Sequence, residues 1–361
     1  MTKNSSTNAR PADSVSTEYS WKWSLSDLEN VKKNGKTVFS CFSCGGGSSM
    51  GYKLAGYTVV GNCEIDPDMM KLYRENNHPK HSFLMDVRDF LKLPDEELPA
   101  ELFDLDILDG SPPCSVFSLA GTREAGWNVE KVFREGQAKQ RLDDLFFYFI
   151  RIAERLKPKV VIAENVKGLI TGSAKGWVNQ IVKAFDAAGY DTQIFLFNAS
   201  RMGVPQKRER VFFIAHRKDL TLPKLRMEFN CEPIPFGKVR DPYGKPVSED
   251  SVIGHMLKYR RPTDRVLSDI SRRTRKKYSG FTSPINHDED PVQTITAGGS
   301  QFRMCDGMLM TDRDFISCQT FPQDYNFMDQ NVQYVCGMSV PPVMMAQISR
   351  QVFNQWLKEK S

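Results

Sequence analysis

Short apolar runs alternate with amphipathic segments along most of this chain, from about residue 37 to residue 217. Each run has the length of one buried strand, and the segments between the runs carry apolar residues at helical spacing. The pattern predicts strands at residues 37–42, 58–63, 83–85, 105–108, 160–163, 193–197 and 211–215. Strands that alternate with helices favour a mainly parallel sheet with helices on both faces. We therefore expect an α/β fold.

One helical segment, between the predicted strands at 105–108 and 160–163, is especially regular. Its apolar residues are Leu142, Leu145, Phe146, Phe149, Ile152 and Leu156. They recur at helical spacing, and Lys157 and Pro158 end the segment. This pattern predicts a helix that packs in the core and takes no part in chemistry.

The alternation stops after Arg217, and the chain to about residue 290 is rich in Pro, Arg, Lys and Ser. Basic side chains concentrate there, at Arg260, Arg261, Arg265, Arg272, Arg273, Arg275, Lys276 and Lys277. Two interpretations stay open, a solvated loop domain and a nucleic-acid surface. At the other end, residues 1–36 are expected to form a flexible arm, part of which docks through Trp21 and Trp23.

The composition limits the class of protein. A chain of 361 residues is long enough for two lobes. No apolar run approaches the ~20 residues of a membrane span, and no secretory leader opens the sequence, so we expect a soluble, cytoplasmic protein. The 8 cysteines do not combine with histidines at zinc spacing, and we predict no metal. The net charge of +5 permits a polyanionic partner without requiring one.

Polar residues follow the carboxyl ends of several predicted strands, where open α/β sheets bind their ligands. A glycine-rich turn at 42–48 comes after the first strand, and glycines let the backbone approach a ligand closely. Glu64 ends the second strand, where a carboxylate can accept both hydroxyls of a ribose. Asp86 ends the third strand and can accept a hydrogen bond from an adenine amino group. The alternatives are tight packing for the turn and surface charge for the two acids.

Cys114 follows Pro112 and Pro113 on a loop that leaves the predicted strand at 105–108. The two prolines restrict the backbone, so the thiol is rigidly placed. Thiolate is the nucleophilic form of cysteine, and basic neighbours on a loop lower the thiol pKa enough to populate it. We interpret Cys114 as a nucleophile, with an inert cysteine as the alternative.

Two further segments carry candidate chemistry. The strand at 160–163 ends in Glu164, Asn165 and Val166, and a carboxyl group against an apolar wall tends to stay protonated and can donate to a ring nitrogen. The alternative is that the Glu164–Asn165 step caps the N-terminus of a helix. Arg208 and Arg210 are two positions apart before a strand and are predicted to project to the same side. Paired guanidinium groups suit an oxygen of a base or phosphate, and a structural salt bridge is the alternative.

Taken in order, these segments resemble the motifs of the C5 cytosine DNA methyltransferase family. The Pro-Pro-Cys loop, the Glu-Asn-Val step and the Gln-x-Arg-x-Arg run at 206–210 are together highly specific. The later matches are residues 294–298, Thr311 with Arg313, Gln319, Phe321 with Pro322, and residues 337–342. The resemblance therefore covers about residues 37–342.

The resemblance implies a reaction and a set of contacts. Cys114 would add to C6 of a flipped-out cytosine while Glu164 engages N3 and Arg210 engages O2, with Arg208 beside it. C5 would then take the methyl group of S-adenosylmethionine. The implied cofactor contacts are Phe42, Ser43, Gly45, Gly46, Gly47, Glu64, Ile65, Asp86, Val87, Pro113, Ser339 and Val340. The implied substrate contacts are Pro112, Asn165, Val166 and Gln206.

The family's architecture implies two lobes and a DNA partner. Residues 37–216 and 332–361 would form a Rossmann-like catalytic domain, with a last helix at 340–356 that packs back on it. Residues 217–331 would form a small target-recognition domain, whose variable part, at about 217–290, reads double-stranded DNA in the major groove. We expect a monomer in the cytoplasm of a prokaryotic or phage-infected cell. A cognate restriction endonuclease that acts separately is a further candidate partner.

Two positions depart from the family pattern, and three rival functions stay open. Cys44 replaces the usual first glycine of the cofactor turn, and Met338 replaces the asparagine usually found before Ser339, so both raise the question of altered cofactor handling. A tRNA cytosine methyltransferase shares the catalytic motifs, but its Cys-Phe-Thr tripeptide does not occur here. A silent DNA-binding relative would not need the intact catalytic set. A nicotinamide-dependent oxidoreductase would need no nucleophilic Cys114.

Overall fold

The computed structural model describes residues 18–113, 144–171, 175–275 and 282–359. Cys114 lies outside the described residues, as do Lys276 and Lys277 of the basic stretch. The other residues predicted to form the site all lie within the described ranges.

Strands and helices alternate from Thr37 onward. The strands are β1 Thr37–Cys41, β2 Thr58–Glu64, β3 His81–Leu84, β4 Ile107–Gly110, β5 Val160–Val166, β6 Tyr190–Asn198, β7 Gln206–Lys207, β8 Glu209–Arg217, β9 Ile285–Asn286, β10 Val292–Gln293 and β11 Phe302–Arg303. The helices are α1 Gly47–Leu54, α2 Pro67–Asn77, α3 Val87–Phe90, α4 Leu145–Leu156, α5 Lys175–Ala187, α6 Val252–Leu257, α7 Leu267–Arg275, α8 Asp312–Gln319, α9 Val332–Met338 and α10 Pro342–Val352. A π-helical turn, Phe353–Leu357, extends α10.

A 7-stranded sheet forms the centre of the molecule, in the order β3-β2-β1-β4-β5-β8-β6. β1 to β5 are parallel, whereas β8 runs antiparallel to both of its neighbours. The short connection from β6 to β8 explains the reversal, because a parallel neighbour needs a longer crossover. Every strand predicted from the sequence lies in this sheet, with its ends shifted by a few residues. The expected α/β fold is confirmed.

Apolar layers cover both faces of the sheet. Val38 and Phe39 are consecutive in β1 and therefore point to opposite faces. Phe39 packs in the layer that contains α4, as the helical pattern predicted, and Val38 packs in the layer that contains α10. α10 lies so close to α1 that a Cβ placed on Gly51 would stand 2.4 Å from the carbonyl oxygen of Pro342. The last helix therefore packs on the half of the chain that carries the glycine-rich turn, although it begins at Pro342 rather than at residue 340.

The chain after Arg217 has a small hydrophobic core of its own. Its buried members are Met256, Leu257, Leu267, Ile270, Ile285 and Phe302. Several arginines of the basic stretch form ion pairs and hydrogen bonds within this lobe. Arg273 pairs with the buried carboxylate of Asp264 at 2.6 Å, and all three nitrogens of the Arg260 guanidinium donate to backbone carbonyls. This segment is thus more than a solvated loop, and its arginines do not all form a nucleic-acid surface.

Residues 18–36 are packed against the fold. Trp23 is 6% exposed, and its indole N–H donates to the carbonyl of Thr320 at 2.9 Å. Tyr19 is also buried. The docking expected for Trp23 is thus observed, and this part of the expected flexible arm is not loose.

Candidate active site

The turn after β1 lies at the switch point of the sheet, where the chain passes to β2 on one side and to β4 on the other. Three of its residues have left-handed backbone angles, with φ of 54° at Phe42, 43° at Cys44 and 75° at Gly46. Gly46 is the N-cap of α1, so the helix begins at Gly47 and not near Met50. Since L-residues rarely adopt positive φ, Cys44 holds a strained conformation in a turn that forms nonetheless.

The glycines of this turn allow close packing from two sides. A Cβ on Gly45 would stand 2.3 Å from Cγ1 of Val335, and one on Gly46 would stand 2.3 Å from Nδ2 of Asn77. A Cβ on Gly47 would stand 2.3 Å from the carbonyl oxygen of Val340. Gly47 lines one of the pockets described below, whereas Gly45 and Gly46 are absent from the described linings of both. The structure therefore gives Gly45 and Gly46 a packing role in shaping the turn.

The carboxyl group of Glu64 fastens the turn to the end of β2. It accepts hydrogen bonds from the backbone N–H groups of Cys44 at 2.8 Å and of Ile65 and Asp66 at 2.9 Å. Burial raises the pKa of Glu64, and these backbone hydrogen bonds oppose the shift. Because each carboxylate oxygen has two lone pairs, Glu64 can still accept from a ligand.

An open crevice with an empty volume of about 750 Å³ lies at this edge of the sheet. Its lining consists of Phe42, Cys44, Cys63, Glu64, Ile65, Asp66, Met69, Met85, Asp86, Val87, Ser111, Pro113, Leu145, Tyr334 and Met338. A smaller pocket adjoins it and shares part of this lining. The smaller pocket is lined by Ser40, Phe42, Ser43, Cys44, Gly47, Ser48, Asp109, Ser111, Met338, Ser339 and Val340. The predicted cofactor contacts, apart from Gly45 and Gly46, thus surround two connected spaces.

The charge of these two linings is one-sided. Their described residues include the carboxyl groups of Glu64, Asp66, Asp86 and Asp109 and no lysine or arginine. Asp86 caps α3 and is itself held by Arg88, whose guanidinium lies 3.0 Å from its carboxylate. A largely apolar crevice with carboxylates suits a ligand that combines an apolar body with positive charge and hydroxyl groups. S-adenosylmethionine fits this description.

A buried ion pair lies at the carboxyl end of β5. Nε of Arg210 is 2.9 Å from Oε1 of Glu164, and the two side chains are 13% and 11% exposed. Burial lowers the pKa of Arg210, and the carboxylate of Glu164 opposes the shift. The apolar wall expected around Glu164 is therefore incomplete, because its carboxyl group contacts a guanidinium. The sequence left a structural salt bridge open for the two arginines but could not name its partner, since the contact joins two strands that are far apart in the chain.

Asn165 connects the end of β5 to the loop that precedes Cys114. Its side-chain N–H donates to the carbonyl of Pro112 at 3.0 Å, and its side-chain oxygen accepts from the N–H of Val166 at 2.9 Å. Asn165 is 4% exposed. This observation fits a residue that positions the Pro-Pro-Cys loop, rather than the helix cap considered from the sequence.

Arg208 and Gln206 belong to a buried polar network. The guanidinium of Arg208 donates to the carbonyls of Ile295 at 3.0 Å and of Gly337 and Ser339 at 2.9 Å. Gln206 donates to the side chain of Gln319, which itself donates to the carbonyl of Ser339. The two arginines therefore do not form one pair of donors for a substrate oxygen. Arg208 holds a wall of the crevice, and Arg210 contacts Glu164.

Two solved structures and two curated relatives resemble this chain. The type II methyltransferase M.NgoPII of Neisseria gonorrhoeae is 27% identical over 88% of this chain and 96% of its own length. M1.HphI of Haemophilus parahaemolyticus is 27% identical over 88% of this chain and 87% of its own length. An E. coli prophage protein assigned as a DNA modification methyltransferase has a TM-score of 0.64 at 20% identity, covering 90% of this chain and 100% of its own. A Spodoptera frugiperda DNMT2 variant has a TM-score of 0.60 at 17% identity, covering 88% and 100%. At such identities the solved structures show the fold alone.

A crevice with carboxylates at the switch point of an α/β sheet is typical of the class of enzymes that bind nucleoside-containing cofactors there. The sequence profile of the C-5 cytosine-specific DNA methylases matches residues 36–354. The chain therefore belongs to the C-5 cytosine-specific DNA methylase family, whose members use S-adenosylmethionine to methylate C5 of cytosine in DNA. The resemblance carried by the sequence motifs is confirmed. Within the described ranges, no group of three or more His, Cys, Asp or Glu side chains could hold a metal ion, and no helix is long and apolar enough to cross a membrane.

Proposed function

We propose that this chain methylates a cytosine within a specific sequence of duplex DNA and that Cys114 is its nucleophile. One observation carries the proposal: Asn165 ties the loop that leads to Cys114 to the strand end that bears the Glu164–Arg210 pair. A carboxyl group, a guanidinium and Pro112, two positions before Cys114, thereby lie at one edge of the sheet. A carboxyl group, a guanidinium and a thiolate are the groups that activation of a cytosine ring needs.

The protein's own groups would act on the cytosine in sequence. The thiolate of Cys114 adds to C6, the carboxyl group of Glu164 engages N3, and Arg210 stabilises the charge that develops at O2. C5 thereby becomes nucleophilic. After methyl transfer, a water molecule takes the C5 proton, and the electrons left at C5 re-form the C5–C6 double bond and expel the Cys114 thiolate, which yields 5-methylcytosine. Arg208 and Gln206 hold the crevice wall, and Pro112 and Val166 frame the approach to the base.

The crevice would hold S-adenosylmethionine, which supplies an electrophilic sulfonium methyl group when bound. Glu64 and Ile65 at the end of β2 and Asp86 and Val87 after β3 would hold the adenosine. The remaining contacts would come from Phe42, Ser43, Gly47, Pro113, Ser339 and Val340. The adenosine contacts lie on one side of β1 and the cysteine loop on the other, so the cofactor would span the switch point.

Duplex DNA would bind with its target base flipped out, because C5 and C6 of a cytosine that is stacked in the duplex cannot reach a closed pocket. We assign recognition of the flanking sequence to residues 217–331, which have their own small core. We propose that the enzyme acts as a monomer in the cytoplasm and protects DNA from a separate restriction endonuclease, and the type II names of its relatives support this protective role. Unstacking the base costs a few kcal/mol, and contacts to the flanking DNA must offset it.

The proposed reaction is tested by incubating the protein with duplex DNA and S-adenosylmethionine labelled in the methyl group, beside Cys114→Ala. We expect label in DNA with the wild type alone, and bisulfite sequencing then identifies the methylated site. Label in tRNA instead would indicate an RNA methyltransferase. Absence of label from both nucleic acids, with DNA still bound, would indicate a silent relative.

A further inference from the structure

Asp109 is a buried carboxyl group for which the proposed reaction has no use. It lies in β4, directly before Gly110, and is 2% exposed. The hydroxyl of Ser40 donates to its Oδ2 at 2.8 Å, and that of Tyr52 donates to its Oδ1 at 3.1 Å. No lysine, arginine or histidine among the described residues forms an ion pair with it. A buried carboxylate is strongly disfavoured without a counter-ion, so the surroundings of Asp109 are incomplete for its charged form.

The pocket beside Asp109 is also lined by a buried hydroxyl group, that of Ser339. Ser339 is 4% exposed, and its side-chain oxygen has no hydrogen-bond partner among the described residues. Asp109 and Ser339 both line the smaller pocket, which shares Ser111 and Met338 with the larger crevice. Two buried polar groups with unused capacity therefore lie where the smaller pocket meets the crevice.

We propose that Asp109 is the counter-ion for the ammonium group at the amino-acid end of S-adenosylmethionine. The inference rests on the proposed function, because that function supplies a cationic ligand. The order of the strands sets the direction of the ligand. Glu64 and Asp86 follow β2 and β3 on one side of β1, whereas Asp109 belongs to β4 on the other side. An adenosine held by the first two residues directs its amino-acid end toward the third.

The chemistry of the carboxylate allows this role. Each oxygen of Asp109 accepts one hydrogen bond from the protein, and a carboxylate oxygen has two lone pairs. An ammonium group has three N–H donors, which can be shared between Asp109 and the hydroxyl of Ser339. Ligand binding would thus complete the hydrogen bonds of both residues.

The protonation of Asp109 provides an independent signal. Burial raises its pKa to about 7, against the hydrogen bonds from Ser40 and Tyr52, and the charge of Glu164 adds to the rise. The titratable groups that face it are Cys41 of β1, Tyr52 of α1, Tyr73 of α2 and Glu164 of β5. Below about pH 7 the carboxyl group must lose its proton before it can pair with an ammonium group. Affinity for the ligand should therefore rise with pH through this range, with release of a proton on binding at low pH.

Calorimetric titration of the full chain with S-adenosylhomocysteine tests the proposal without turnover. This ligand keeps the ammonium group, and its analogue without the α-amino group serves as the comparison. We expect the wild type to bind the analogue about tenfold more weakly or worse. Asp109→Asn should discriminate much less between the two ligands and lose the pH dependence, because Ser339 and the amide oxygen can accept hydrogen bonds but carry no charge. Asp106→Asn is the matched control, since it makes the same change at the other end of β4, where the carboxylate pairs with Lys159 at 2.8 Å.

Thermal unfolding of the ligand-free protein keeps the test independent of binding. The folded-state pKa of Asp109 is raised, so the wild type loses stability as pH rises toward about 7, and it does not regain this stability above that value. Asp109→Asn should therefore have a higher unfolding midpoint than the wild type at about pH 8, and this advantage should shrink as the pH falls below about 7 and disappear only near the pKa of an unfolded aspartate, at about pH 4. Equal discrimination against the analogue by the wild type and Asp109→Asn would overturn the role of Asp109 alone. Failure of the wild type to bind S-adenosylhomocysteine at all would overturn the proposed function, and this inference with it.

Discussion

Glu164 and Arg210 show why single residues of this site must be interpreted in pairs. Each is nearly buried, and each provides the opposite charge that the other needs. A flipped cytosine would insert its N3 and O2 between groups that already contact each other. The pair therefore stabilises the free protein and is prearranged for the base at the same time.

Variants of this pair should separate stability from activity. Arg210→Met leaves a buried carboxylate without its partner and should lower the free energy of unfolding by about 3–5 kcal/mol. Adding Glu164→Gln should restore most of that loss, because no unpaired charge remains. Methyl transfer should fall at least about 100-fold in each single variant and should not recover in the double variant. Urea denaturation and a labelled-methyl assay measure the two effects, and additive losses of stability would contradict the coupling.

Met338 is the residue whose departure from the family pattern has the clearest structural setting. It is 39% exposed and lines both the crevice and the smaller pocket. Met338→Asn would add an amide where the thioether now offers only a weak acceptor. We expect the affinity for S-adenosylhomocysteine to increase about fivefold, which corresponds to one hydrogen bond of about 1 kcal/mol. A calorimetric titration in which the two proteins bind equally would show that Met338 does not impair cofactor handling.

At the scale of elements, the ends of β4 and β5 act as a unit. These parallel strands are neighbours, so the loop after β4 and the Glu-Asn-Val step of β5 end at the same edge of the sheet. The hydrogen bond from Asn165 to Pro112 joins them. The sequence contained both motifs, and only their pairing in the sheet explains why an asparagine follows the glutamate.

Asn165→Asp tests this connection. The aspartate keeps the oxygen that accepts from Val166 and loses the N–H that donates to Pro112, so the local turn can persist while the loop is released. We expect single-turnover methyl transfer to slow by about 10- to 100-fold, which corresponds to 1–3 kcal/mol for a lost buried hydrogen bond. Affinity for S-adenosylhomocysteine should change little. An equal loss of cofactor affinity would indicate a general disruption of the crevice instead.

At the scale of the whole molecule, segments that are distant in sequence pack together. Trp23 packs with residues from both lobes, including Met50 of α1, Phe236 and Phe321. Its N–H also donates to the carbonyl of Thr320, which lies within the family's Gln-x-Phe-Pro segment. The N-terminal segment thus supports the junction between the catalytic sheet and the small lobe.

Substitutions at Trp23 should have graded effects. Trp23→Ala removes a large buried side chain and should lower the free energy of unfolding by about 3–5 kcal/mol. Trp23→Phe keeps most of the apolar contact and loses the N–H donor, so a loss of about 1–2 kcal/mol is expected. Chemical denaturation with fluorescence or circular dichroism measures both. Equal, small losses for the two variants would mean that the segment does not support the junction.

The sequence by itself determined the fold class, the strands and the family. Strand and helix patterns reflect which consecutive residues are buried, so the order of apolar and polar residues shows them directly. The family motifs consist of residue types in a fixed order, so they too are visible in the sequence. The ends of strands and helices were less well predicted. For example, α1 begins at Gly47 because Gly46 caps the helix in a left-handed conformation, which the packing of this turn against α2 and Val340 favours.

Tertiary structure alone decided which groups meet. The sequence grouped Arg208 with Arg210, but folding directs Arg208 to the carbonyls of Ile295, Gly337 and Ser339 and leaves Arg210 to Glu164. Asp109 directly follows the predicted strand at 105–108, as Asp86 follows another, but only the fold shows that it is buried and that Ser40 and Tyr52 are its partners. Charge and hydrogen-bond complementarity depend on distances between side chains from different elements, and those distances exist only once the sheet has formed.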